Sequence, residues 1–176
     1  MPTMAHEGYP GHMYQMTYYY NTNPDPVRTV YECLGYVEGW ASYVESLSYA
    51  YCGFDEDVAD FYRSFNMEMA LNLYCRTDLG IHYEGWDVAQ TGEFLRQYLA
   101  FDDATIQEVY DAVLYNPTNY MVYGIGMDEI LEMRETMEDN LDADFDIKDF
   151  HKQLLDLGPA PFPILRKYMP LSLIHI

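Results

Sequence analysis

Apolar residues recur along this chain at the three-to-four-residue spacing of helices, and no turn-bounded run alternates with the period of two that builds a sheet. The pattern predicts an all-α protein of many helices with no substantial sheet. A first helix is expected to reach about Tyr20, where Asn21, Thr22, Asn23, Pro24, Asp25 and Pro26 end it with turn formers. A second is expected from about Val27 to Tyr51, stopping at Gly53, and a third from about Asp55 to Ile81, with Gly80 marking its end. Shorter helices should follow from about Asp87 to Leu99, Asp103 to Leu114, Asn119 to Asn140 and Ile147 to Leu157. The segment from Gly158 to Pro163 holds three prolines and cannot be helical throughout.

A chain of 176 residues can bury one core, and no shift in composition marks a second. One helical domain over residues 1–170 is therefore expected. Residues 171–176 are apolar and unpatterned, and are read as a non-native tail, so His175 is left out of site reasoning. Hydrophobic residues at 49% and aromatics at 16% place the chain well away from the composition of disorder. The formal charge of -20 disfavours nucleic acid and anionic membrane surfaces as partners and says little about substrate. Cys33, Cys52 and Cys75 form no CxxC pair, so neither a disulfide framework nor a thiolate metal site is indicated, and they are read as buried thiols. There is no basic stretch leading into an apolar run and no segment of the ~20 apolar residues that span a bilayer, and the compartment is left open.

The strongest chemical signal is the string from Ala5 to Gln15, AHEGYPGHMYQ. It is similar to the zinc-binding helix of metallopeptidases, with two extra residues between the histidines. In a regular helix, residues six apart point about 120° from each other, so His6 and His12 could not share an ion. Pro10 offers a way out. It cannot donate to the carbonyl of His6 and its ring clashes there, while Gly11 tolerates unusual dihedrals, so a local bulge or loop can bring the imidazoles together. The plain alternative is a Pro-Gly helix break beside two incidental histidines.

Glu38 lies in a second string, GYVEGWASYVE from Gly35 to Glu45. Small residues surround it at Gly35, Gly39, Ala41 and Ser42, although two mid-helix glycines cost about 1 kcal/mol each in propensity. Small residues let another helix come close. A carboxylate delivered against the histidine segment would complete a two-His, one-Glu zinc site with a position open to water. Glu45 could orient a ligating histidine from behind.

The HExxPGHxxQ string at His6 to Gln15, the EGWAxYxE string at Glu38 to Glu45 and the RxDxGIH string at Arg76 to His82 resemble a bacterial family known as domain of unknown function 885. So do Pro117, Tyr123 and Gly126, and the FDIKDFH string at Phe145 to His151 followed by Leu154, Leu155 and Gly158. These landmarks occur in family order up to about Leu165. The resemblance implies a helical zinc metallopeptidase fold in which His6, His12 and Glu38 bind the metal and Glu7 is the general base. It also implies a longer protein: family members carry a helical N-terminal portion, many have export signals, and a motif five residues from the start leaves one wall of the site to be supplied. The missing N-terminal half of the same protein is expected to pack on this one.

The expected activity is zinc-dependent hydrolysis of a peptide substrate, with Glu7 accepting a proton from water and passing it to the leaving amine. Tyr123 and His82 are candidate donors to the oxyanion, with a packed aromatic and a satisfied core histidine as the alternatives. Arg76, one of six arginines, could hold a substrate carboxylate or pair structurally with Asp78 or another acid. His151 is read as packing. Asp142, Asp144 and Asp146 mimic an EF-hand start, but Ile147 and Gln153 stand where that loop needs glycine and glutamate. No Glu-x-x-His pair of a di-iron bundle occurs. The competing functional class is a truncated, inactive helical domain that binds metal or a partner without catalysis.

Overall fold

A computed structural model describes residues 1–169, and over these the chain is helical without a strand. The expected tail at 171–176 lies outside the described residues. Eleven α-helices follow one another: α1 (Pro2–Glu7), α2 (His12–Asn21), α3 (Pro26–Thr29), α4 (Leu34–Ser48), α5 (Glu56–Arg63), α6 (Leu71–His82), α7 (Val88–Leu95), α8 (Asp103–Leu114), α9 (Asn119–Leu141), α10 (Ile147–Leu157) and α11 (Phe162–Tyr168). Short 3₁₀ turns continue α4 and α9, and a π-helical stretch, Ser64–Ala70, joins α5 to α6.

Where a polar cap stands in the sequence, the helix starts beside it. Asp102 accepts from Thr105 N at 2.8 Å, and Asp146 accepts from Lys148 N at 2.7 Å. Asp87 and Gln90 form a reciprocal capping box at the start of α7. The expected second helix begins late: Asp25 caps only the single turn α3, and α4 starts at Leu34, not near Val27. The expected first helix is two helices, for reasons that belong to the site.

The core has two parts. Tyr36, Trp40 and Tyr43 of α4 pack with Ile130 and Met133 of α9, Phe150 and Leu154 of α10, and Leu165 of α11. Leu73 and Ile81 of α6 pack with Leu95, Ile106 and Val113 of α7 and α8. The spine of the molecule is the crossing of α4 and α9, where backbones touch. A Cβ on Gly39 would lie 2.5 Å from the carbonyl carbon of Gly126, and one on Gly126 would lie 2.3 Å from the carbonyl oxygen of Gly35. Gly39 and Gly126 therefore serve the crossing of α4 with α9, where the sequence had suggested the histidine segment. Of the cysteines only Cys75 is buried; Cys33 and Cys52 are half-buried.

Candidate metal centre

The break between α1 and α2 explains the two extra residues. Pro10, preceded by a cis peptide bond, cannot donate to the carbonyl of His6; instead the chain doubles back and Gly11 N donates to Ala5 O at 2.8 Å. Only glycine fits there, since a Cβ on Gly11 would stand 1.7 Å from the carbonyl oxygen of His6. Trp40 of α4 holds the loop from outside, its indole Nε1–H donating to Pro10 O at 3.0 Å. His6 thus sits in the last turn of α1 and His12 opens α2. The two imidazoles meet edge to face with ring centres 4.8 Å apart.

Glu38 comes to them from α4. Its Oε2 lies 3.5 Å from His6 Nε2 and 3.3 Å from His12 Nε2. The same oxygen is buried and has no hydrogen-bond partner, so the three groups face a common point without being aligned on one another. Ligands at about 2.0–2.1 Å around a tetrahedral ion stand roughly 3.3 Å apart, and the two Glu38 separations match that edge. Among the described residues, His6, His12 and Glu38 are the one group of three or more His, Cys, Asp or Glu side chains whose ligand atoms gather within 4.8 Å. A donor set of two imidazoles and one carboxylate suits a divalent ion such as zinc.

Behind His6, its Nδ1 is 2.9 Å from Glu45 Oε2, where the imidazole N–H can donate to the carboxylate. That bond fixes the ring and leaves Nε2 to face Glu38. The charges are strongly coupled. Glu38 and then Glu45 raise the pKa of His6 to about 9, and Glu38 also raises that of His12. Burial works to raise the pKa of Glu38, but His12 and His6 outweigh it and hold it at about 2.

A cleft of about 520 Å³ opens beside these residues, lined by Thr3, His6, Glu7, Ser42, Glu45, Tyr49, Asn66, Met67, Leu71 and Tyr123. Glu7, exposed at the end of α1, and Tyr123 of α9 both reach it. The Tyr123 ring stacks on His6 with centres 6.0 Å apart. Burial, then Glu38 and Glu7, raise the Tyr123 pKa, so its hydroxyl keeps its proton and can donate. Asn66 and Met67 come from the π-helical stretch, whose wider turn presents them to the cleft. A larger hollow of about 710 Å³ lies across the motif loop, against Tyr9, Pro10, Tyr14, Trp40 and His151, and brings no ligand set together.

Two residues expected at the site are elsewhere. His82 lies eleven residues beyond Leu71 on α6, about 16 Å further along the helix axis. There its Nδ1 meets Asp78 Oδ1 at 2.9 Å and its Nε2 faces Leu114 O at 3.4 Å. Asp78, buried, also accepts from Thr118 N at 2.7 Å, so this string ties α6 to the start of α9. Arg76 bonds Glu84 at 3.0 Å, not Asp78, and stacks on Trp86 at 4.4 Å. Neither lines the cleft. Sequence reasoning passed over Trp40, Ser42 and Asn66 as site residues, and treated Gln15 only as part of a string, although its place three residues after His12 puts it one turn away on the same face. His151 packs as expected, its Nε2 2.8 Å from the Tyr43 hydroxyl.

The fold is similar to that of a protein designated a lipoprotein from Colwellia psychrerythraea, with a TM-score of 0.79 and 24% identity over 96% of this chain and 29% of the other. It is also similar to a protein designated a lipoprotein of unknown function from Shewanella oneidensis, with a TM-score of 0.80 and 26% identity over 96% of this chain and 31% of the other. The chain thus spans under a third of the length of either. No match is found among curated proteins. Residues 1–169 match the family described as "Bacterial protein of unknown function (DUF885)", and the chain belongs to that family.

Proposed function

We propose that this chain carries the metal-binding side of a zinc-dependent peptidase. The observation that supports it most is the convergence of His6, His12 and Glu38 on one point, with Glu45 behind His6 and Glu7 and Tyr123 in the adjoining cleft. His6, His12 and Glu38 would hold the ion. Once bound, zinc would polarise the scissile carbonyl and make an attacking water more acidic.

The chain's own groups supply the rest. Glu7 has the chemistry and the place to accept the water's proton and return it to the leaving amine. Tyr123, held protonated, donates its hydroxyl to the oxygen that gains charge. Glu45 keeps His6 in one orientation through the cycle. A second reading, metal binding without hydrolysis, draws on one fact: the chain spans under a third of the similar solved chains, so walls that would orient a substrate and exclude water could lie on the remainder.

The test measures zinc content and hydrolysis of a mixed peptide library for the wild-type chain and Glu7→Gln. Glu7→Gln is expected to keep one zinc per chain and to lose about 10²–10⁴-fold in rate. Zinc well below one per chain in both would reject the metal assignment. Undiminished hydrolysis by Glu7→Gln would reject its role as base, and zinc without hydrolysis by the wild type would favour the second reading.

A further inference from the structure

Gln15 is wholly buried on α2, yet half of its amide is unexplained. Its Nε2 donates to Tyr36 O at 3.4 Å, while its Oε1 has no hydrogen-bond partner among the described residues. The bond to a carbonyl settles which end of the amide is nitrogen, so the oxygen is left facing the other way. A buried acceptor with nothing to accept is costly, and a glutamine kept in such a place calls for a donor.

The donor at hand is His12, one turn earlier on the same helix face. His12 turns Nε2 toward Glu38, so Nδ1 is the nitrogen left for Gln15. A neutral imidazole carries one proton, and if Nε2 faces a metal that proton must sit on Nδ1, where whatever accepts it sets the angle of the ring. Glu45 stands in that relation to His6.

We propose that Gln15 is the positioning residue for His12: when Nε2 takes an ion, the Gln15 Oε1 that is unbonded in the structure accepts the Nδ1 proton of the neutral ring and holds Nε2 on the point shared with Glu38 and His6. This rests on the metal reading above. The two histidines are then steadied from opposite sides, His6 by a carboxylate on α4 and His12 by an amide on its own helix. The amide adds no charge, so the acceptor beside His12 leaves Glu38 and Glu45 as the carboxylates in contact with the histidine pair.

The experiment compares zinc affinity, by competition with a chromophoric chelator, for wild type, Gln15→Met, His12→Ala and the double variant, with thermal melts of each. Gln15→Met is expected to bind zinc about 10–100-fold more weakly than wild type. In the His12→Ala background the same change should have no further effect, whereas general loosening of α2 would weaken both backgrounds alike. Proton–nitrogen spectra of the zinc-loaded wild type should show His12 protonated on Nδ1 and slow to exchange. That signal decides the matter if Gln15→Met does not fold. Unchanged affinity in Gln15→Met, equal losses in both backgrounds, or a fast-exchanging Nδ1 proton would each overturn the proposal while leaving the metal reading intact. A wild type that binds no zinc would overturn both.

Discussion

Single residues in this chain are tuned by what stands next to them, and the surroundings of His6 and His151 are opposites. His6 sits between two carboxylates that keep its proton on, so a metal entering there must displace it, and binding should release protons. His151 sits among Trp40, Tyr43 and Phe150, and burial, with Arg134 nearby, lowers its pKa to about 4. The unfolded chain, with an ordinary histidine pKa of about 6.5, takes up that proton first as the pH falls. The stability His151 contributes is therefore complete above about pH 6.5 and is lost as the pH falls through about 4. Because the ring is partly exposed, we expect His151→Gln to lessen the loss of stability between pH 6.5 and 4.5 by only about 1–2 kcal/mol. Urea melts across that range check this, and parallel pH slopes for variant and wild type would contradict it.

At the scale of elements, the α4–α9 crossing carries the site as much as the motif loop does. Gly126 lies three residues from Tyr123, so the contact that brings the backbones together also delivers the tyrosine to the cleft. Gly126→Ala would push its new carbon into the carbonyl of Gly35, and we expect it to cost about 1–3 kcal/mol despite alanine's better helix propensity. Gly35→Ala is the control: its Cβ would meet only the Phe162 ring, at 3.4 Å, and the change should be near neutral. Equal denaturation midpoints for the two variants would contradict this account of the crossing. Helices that begin at an aspartate cap, α8 and α10, were legible from sequence because the cap is a local signal. The late start of α4 was not, since residues 30–33 contain no proline or glycine to mark the break. The π-helical stretch was equally silent, because its side chains still read as helical. The site divides in the same way. His6, His12 and Glu38 could be named as candidates from their motif strings, and Glu7 and Tyr123 from the family resemblance, whereas Arg76 and His82 were expected beside them although order along the chain says nothing about distance along α6.

Across the whole molecule, three helices that are separate in sequence each contribute one candidate ligand: α1 gives His6, α2 gives His12 and α4 gives Glu38. A site assembled in this way exists only in the folded chain, so a bound ion would stabilise the native state as well as serve chemistry. The cysteines offer a competing fate for zinc, since thiolates bind it at about 2.3 Å, against about 2.0–2.1 Å for imidazole nitrogen and carboxylate oxygen. X-ray absorption at the zinc edge, on the chain loaded with one equivalent, separates the two directly. Nitrogen and oxygen alone are expected around the zinc, with the scattering pattern of two imidazoles, lost in His12→Ala. A shell containing sulfur, or one unchanged in His12→Ala, would contradict this.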